Sequence, residues 1–289
     1  MLKPRVVAVV LVKNGHVVQS LGFSRYLPVG SPEITVEYLN RWGIDEIVIL
    51  DIDATREKRD PDFELIERCA QECRVPLSMG GGIRSCETLR KVIQSGADKV
   101  ILNSVLSSDP DVIAEGAKFA GRQAIVVSID ALKKADGKYA TYNHKDQRES
   151  EIDLPTAVAQ AERLGAGEIL INSVDRDGSK KGYDLQLLRE VCQTASVPII
   201  ACGGVGHSRH LKEGIDTGAS AVAAANFFHF SEHSVILAKR ELIQMGSDIR
   251  LDSYATYPES SFTQGGRLDS YPEEKLTSLR FTYIPEEVI

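Results

Sequence analysis

Short, continuously apolar runs rich in β-branched residues alternate along this chain with longer stretches in which apolar positions recur every three or four residues. The runs are residues 6–12, 46–52, 76–79, 99–103, 124–130, 168–174, 198–201 and 221–224. Runs of this length without polar alternation read as strands buried on both faces, the pattern of a parallel sheet covered by helices. Between them, helical spacing predicts helices over 32–42, 61–73, 85–95, 109–119, 154–164, 185–194, 208–217 and 231–245. Asp60 is the expected N-cap of the second helix, with Pro61 at its first position. Lys13-Asn14-Gly15 reads as the exit turn of the first strand.

Eight strand-then-helix units predict an α/β fold, a (β/α)8 TIM barrel; its rival is an open, doubly wound sheet. An internal repeat favours the barrel. "WGIDEIVILDID" (42–53) resembles "LGAGEILINSVD" (164–175), pairing Gly43 with Gly165, Glu46 with Glu168 and Asp53 with Asp175. "GGI…GADKVILNS" (81–104) resembles "GGV…GASAVAAAN" (203–226) at the same spacing. Two halves of four units each fit a closed eightfold barrel, whereas an open sheet gives no reason for the doubling. The barrel is expected over residues 1–252. Residues 253–289 lose both periodicities, repeat "RLDSY" (250–254 and 267–271), and read as a flexible surface extension. Its Tyr and Phe residues suggest a partner-docking arm as the alternative.

Composition narrows the function. The chain has 289 residues, a net charge of −7 and a pI of about 5.5. That balance speaks against a nucleic-acid binder while leaving room for local phosphate pockets. Five Cys form no CxxC pair, so no structural metal is expected, and reduced thiols fit a cytoplasmic protein. No apolar run is long enough for a transmembrane helix. The N-terminus reads as a strand and not as a signal peptide.

In a barrel of this kind the chemistry sits at the C-terminal strand ends. Gly81 and Gly82 follow the third strand, and Asn103 and Ser104 end the fourth. Gly203 and Gly204 follow the seventh, and Ala225 and Asn226 end the eighth. Glycines before a helix let backbone N–H groups gather around an anion. Two such cradles, related by the repeat, imply a long ligand with a phosphate at each end, or a nucleotide diphosphate spanning part of the gap. Asp51, Asp130, Asp175 and Asp177 are the candidate acid/base groups between them. Asp130, ending the fifth strand, is the strongest. The charged segment 173–184 suits a substrate-contacting loop or lid. At the opposite face, Arg5, Glu46, Lys99 and Glu168 start four strands and together could form an ionic ring around the axis.

The segments "KNGHVV", "GIDEIVILDIDA", "GGGI", "GADKVILNS", "VVSIDA", "GAGEILINSVDRDG", "GYD" and "FHF" resemble the cyclase subunit of imidazole glycerol phosphate synthase, the HisF family, over residues 1–252. The resemblance implies a HisH-like glutaminase partner at the N-terminal barrel face, ammonia passing through the barrel, lyase-type chemistry and no cofactor. It implies an ammonia gate at Arg5, Glu46, Lys99 and Glu168. Phosphate would sit on Gly82, Asn103 and Ser104 at one end, and on Asp177, Gly178, Gly204 and Asn226 at the other. The last of these is usually Ser. Asp130 matches the family's base. The family's second catalytic Asp maps to Leu11, and its loop lysine to Gln19. A hydrocarbon side chain can neither donate nor accept a proton. The stretch "VLVKNG" resembles a branch associated with amidation of surface sugars. There, barrel and glutaminase would supply ammonia to a third, ATP-dependent amidotransferase acting on a nucleotide-linked sugar, and that is the leading expectation. A true histidine-pathway cyclase and a non-catalytic scaffold are the alternatives.

Overall fold

The computed structural model describes residues 3–143, 148–257, 262–263 and 267–269. Eight parallel strands close on themselves: β1 (Arg5–Lys13), β2 (Glu46–Asp51), β3 (Leu77–Gly80), β4 (Lys99–Leu102), β5 (Ile125–Lys133), β6 (Glu168–Ser173), β7 (Ile199–Cys202) and β8 (Ala221–Ala224). The ring closes where β8 lies beside β1, Arg5 opposite Ala221 and Val7 opposite Ala223. All eight runs predicted as strands are strands of this barrel, so the open sheet is excluded.

The helices are α1 (Pro32–Arg41), α2 (Phe63–Glu72), α3 (Cys86–Gln94), α4 (Asp111–Ala120), α5 (Leu154–Leu164), α6 (Leu185–Thr194), α7 (Ser208–Asp216) and α8 (Ser234–Gln244). Side-chain caps fix several starts. Ser31 accepts from the Ile34 N–H, Ser85 from Thr88 and Asp153 from Thr156. The cap of α2 is Asp62 and not Asp60. Its carboxylate takes the Leu65 N–H at 2.9 Å, while Asp60 pairs with Arg84. Asp184 caps α6 through the Leu187 N–H in the same way. Asp62 and Asp184 are repeat-related, so the duplication extends to helix caps.

Two shells of apolar side chains make the core. The inner one fills the barrel with Val7, Val9, Val48, Ile101, Val126, Leu170, Ile200, Ala221 and Ala223. The outer, larger one packs strands against helices. Strands buried on both sides must be apolar at odd and even positions alike, which explains their unbroken runs.

Two hairpins extend from the barrel at its C-terminal end. Asn14 and Gly15 both adopt positive φ and turn β1 back into the antiparallel strand His16–Leu21, which pairs in turn with Arg25–Gly30. The expected exit turn is therefore a two-residue hairpin turn. The second hairpin continues β5 through Tyr139–Asn143 and Arg148–Asp153. Neither was predicted as strand. The compact unit that holds the barrel runs from Met1 to Ala255, and a second unit covers Thr256–Ile289. Within the second, Phe262 and Leu268 form an antiparallel bridge. Most of the 253–289 extension lies outside the described residues.

Candidate functional site at the two ends of the barrel

Side chains on alternate strand positions point into the barrel, and the N-terminal layer is charged. Arg5 Nη1 donates to Glu46 Oε2 at 2.6 Å, and its guanidinium also bonds both oxygens of Glu168. Lys99 Nζ reaches Glu168 Oε1 at 2.8 Å and Glu46 Oε1 at 3.1 Å. The four predicted residues thus form one closed ring of alternating charge across the barrel floor. Ser78 adds a fifth member, donating to Glu46 Oε1 at 3.0 Å. Glu46 is fully buried. Burial works against the charge of Glu168, but the hydrogen bonds and fields of Arg5 and Lys99 prevail and hold its carboxyl below the usual range. Burial likewise opposes the Arg5 charge, and the Glu168 hydrogen bond with the fields of Glu46 and Glu168 outweighs it.

Behind this ring lies Asp45, whose carboxylate accepts the Val6 N–H at 2.7 Å and the ammonium of Lys239 at 2.6 Å. Lys239 is fully buried on α8 and also donates to the Gly43 carbonyl. One ion pair thereby ties the last helix to the residues beside Arg5 and Glu46.

Above the apolar middle layer, the mouth divides into two walls. The polar wall holds Asp130, which is 6% exposed. Asn103 Nδ2 donates to its Oδ2 at 2.6 Å, and Asn172 Nδ2 to its Oδ1 at 2.9 Å. The other wall is formed by Leu11, Leu50, Cys202 and Ala225, packed on the inner core. Leu11 pairs with Val18 of the first hairpin, so apolar side chains surround the position where the resemblance expects an acid. Burial, with the fields of Asp177 and Asp130, pushes the Cys202 thiol up to about 12.

The three other candidate acids all have structural partners. Asp51 receives both guanidinium nitrogens of Arg59, at 2.6 and 2.7 Å, together with the N–H groups of Asp53 and Ala54. That leaves it organising the β2 loop, not a free acid/base group. Asp175 accepts the Lys133 N–H. Asp177 accepts from Ser20 Oγ at 2.7 Å and from the Phe23 N–H at 3.0 Å. Asn226 grips the Ser20 peptide from both sides.

The glycines explain themselves by close approach. Gly81 and Gly82 both have positive φ and press on the Asp51 and Arg59 carbonyls. The Gly82 N–H donates to Thr55. Gly203 and Gly204 also have positive φ, Gly203 lying against Asn172 and Gly204 against the Gly182 carbonyl. Gly178 faces the Ser20 carbonyl. Ser104 precedes the helical turn Val105–Ser108 and receives Ser107 and Ser108 on its carbonyl. The order of strands puts the Gly81–Ser104 group and the Gly203–Asn226 group on opposite sides of the mouth.

Sequence reasoning missed Asn172, Ser78 and the first hairpin's grip on Asp177 and Asn226. Asn172 was findable: two residues above the inward Leu170, it had to face the mouth. Among the described residues no cluster of His, Cys, Asp and Glu could hold a metal, and no helix is long and apolar enough to cross a membrane.

A family model described as "Histidine biosynthesis protein" matches residues 5–234. The chain is 43% identical over 258 residues to the "Putative imidazole glycerol phosphate synthase subunit hisF2" of Vibrio vulnificus, covering 89% of this chain and 94% of that protein. It is 40% identical over 252 residues to the "Imidazole glycerol phosphate synthase subunit HisF" of Streptococcus sanguinis, covering 87% of this chain and all of the relative. The same figures hold for the subunit of that name in Streptococcus gordonii. With its closed barrel, its charged floor and these relatives, the chain belongs to the HisF family of histidine-biosynthesis proteins.

Proposed function

We propose that this chain is the synthase subunit of a glutamine-dependent complex. It receives ammonia from a glutaminase seated on the N-terminal face and uses it at the C-terminal mouth. The observation that carries this reading is the vertical order of side chains inside one barrel. A closed charged ring lies at the floor, an apolar layer above it, and a carboxylate clamped by two carboxamides at the top. A small molecule that is neutral in transit suits that order, because an apolar interior penalises a bare charge.

The relatives are named imidazole glycerol phosphate synthase subunits, and theirs is the reaction we assign first. Ammonia would attack a phosphorylated ribulosyl precursor, giving imidazole glycerol phosphate and an aminoimidazole carboxamide ribotide. The precursor's two phosphates would lie on Gly81, Gly82, Asn103 and Ser104 at one end, and Asp177, Gly178, Gly203, Gly204, Ala225 and Asn226 at the other. Asp130 would move the protons. Without an acid at position 11, it would do so alone and slowly, since a positioned acid or base contributes about a hundredfold or more.

Leu11 favours a second reading. The barrel would then pass ammonia on to a third, ATP-dependent amidotransferase that modifies a nucleotide-linked sugar. One experiment separates the two. The purified chain is given an ammonium salt and the ribulosyl precursor, and imidazole glycerol phosphate is measured. Steady formation that disappears in Asp130→Asn supports the cyclase; no product over the uncatalysed background leaves the conduit.

A further inference from the structure

The inner face of β5 carries Val126, Ser128 and Asp130 in succession, and only Ser128 has no task in the fold. It is 6% exposed, lies opposite the inward Leu170 on β6, and sits one inward step below Asp130. Among the described residues no hydrogen bond reaches its hydroxyl. Sealed hydroxyls ordinarily have partners, and Ser128 Oγ is not among the sealed side-chain atoms left without one in the described residues, so it keeps contact with the open space above it. The other inward serine, Ser78, follows that rule by bonding Glu46. Ser128 is therefore a polar atom left open towards the upper barrel, directly below the carboxylate at the mouth.

We propose that Ser128 is a positioning residue for ammonia, an inference that rests on the ammonia-using reading above. Ammonia has three N–H donors and one lone pair. Rising out of the apolar layer, it first meets the Ser128 oxygen. That oxygen accepts one N–H while Asp130 accepts a second. Both acceptors belong to one strand and hold the molecule from the β5 side. Its lone pair is left to face an electrophile in the mouth. No bond is made or broken in this step. The carboxamides of Asn103 and Asn172, each spending an N–H on Asp130, keep the carboxylate aimed and leave their own oxygens as further acceptors.

The test reads binding before it reads turnover. In the full-length protein, the side-chain amide resonances of Asn103 and Asn172 are followed by NMR while ammonium chloride is added at alkaline pH, with sodium chloride as control. Wild type and Ser128→Thr should shift saturably with the ammonium salt only. Ser128→Ala should need about fivefold more, the cost of one hydrogen bond. Melting temperature is the guard against a structural role: Ser128→Ala should melt no lower than wild type, because it removes an unpartnered hydroxyl. Equal titration of Ser128→Ala and wild type, or shifts reproduced by sodium chloride, would overturn the proposal. Ammonium-driven turnover is measured in parallel. A raised KM for ammonium with kcat unchanged agrees with the NMR. An inactive wild type that still titrates overturns the assigned reaction and leaves Ser128's role standing.

Discussion

Asn226 holds Ser20 by both sides of its peptide: Asn226 Oδ1 accepts the Ser20 N–H at 3.1 Å, and Asn226 Nδ2 donates to the Ser20 carbonyl at 2.6 Å. The two residues are 206 positions apart and both are buried. A carboxamide facing a peptide group satisfies a donor and an acceptor at once, as one strand does for another. Ser20 Oγ and the Phe23 N–H add two bonds to Asp177. Beyond these, the ring of Phe23 lies 6.1 Å from that of Tyr142 on the second hairpin. The first hairpin is thus fastened to the loop after β6, to the end of β8 and to the second hairpin. It roofs the apolar wall of the mouth.

This fastening predicts that Asn226→Ala loosens the first hairpin without unfolding the barrel. Two hydrogen bonds are lost at a site that holds only the hairpin, and each contributes about 1 kcal/mol. Amide exchange of residues 19–23 should accelerate by roughly tenfold or more, while exchange in β2 to β6 stays as in wild type. Uniform acceleration across the barrel would show instead that Asn226 supports the whole fold.

The barrel floor gives a pH prediction. The Glu168 carboxyl lies below its ordinary value of 4.5 because Arg5 and Lys99 overcome its burial. A folded-state pKa lower than the unfolded one means that protons favour unfolding. The stability it contributes is therefore complete above about pH 5 and disappears as the pH falls through the lowered value. Urea unfolding from pH 7 to pH 3 should show this loss, and Glu168→Gln should flatten it. An equal acid slope in the two proteins would assign the loss to other carboxylates.

Lys239 offers a test of the floor's support. Burial pushes its ammonium's pKa down, and Asp45 offsets part of that. Lys239→Met leaves the Asp45 carboxylate buried beside Arg5 without its nearest cation. Removing one partner of a buried pair costs about 3 kcal/mol or more. Chemical denaturation should show a loss of that size. Lys239→Met with Asp45→Asn should recover part of it, because the stranded charge is gone.

How much of this could be read from the sequence depended on periodicity. All eight barrel strands were legible because burial on both faces forces an unbroken apolar run; β8 was placed to the residue. The ionic ring was legible because Arg5, Glu46, Lys99 and Glu168 each open a strand, and a closed barrel brings strand starts together. The hairpins were not. His16–Leu21 adds only Val17 to the main core, and the exposed pattern of Arg25–Gly30 carries no alternation to detect. Asn226 was read as a phosphate residue because its neighbours invite that. Its grip on Ser20 depends on a fold-back that no local pattern announces.

Position 11 yields the sharpest prediction. Leu11 ends the inner face of β1 among Leu50, Ala225 and the opposed Val18, and Asp130 ends the inner face of β5, on the other side of the ring. Leu11→Asp would place a second carboxyl across the mouth from the first. The surroundings resist it: an ionised carboxylate there lacks the two carboxamide donors that hold Asp130. Its pKa should rise, and the protein should lose about 2 kcal/mol or more of stability. A carboxyl that stays partly protonated near neutral pH suits a general acid. If the cyclase reading is right, ammonium-driven formation of imidazole glycerol phosphate should rise by on the order of a hundredfold in Leu11→Asp. Leu11→Asn, similar in shape but unable to exchange the proton, should stay at the wild-type rate. A rise in both variants would mean that polarity at position 11, and not proton transfer, had been limiting. A rise in neither, in a protein that still folds, would place the chemistry beyond this mouth and favour delivery of ammonia to another enzyme.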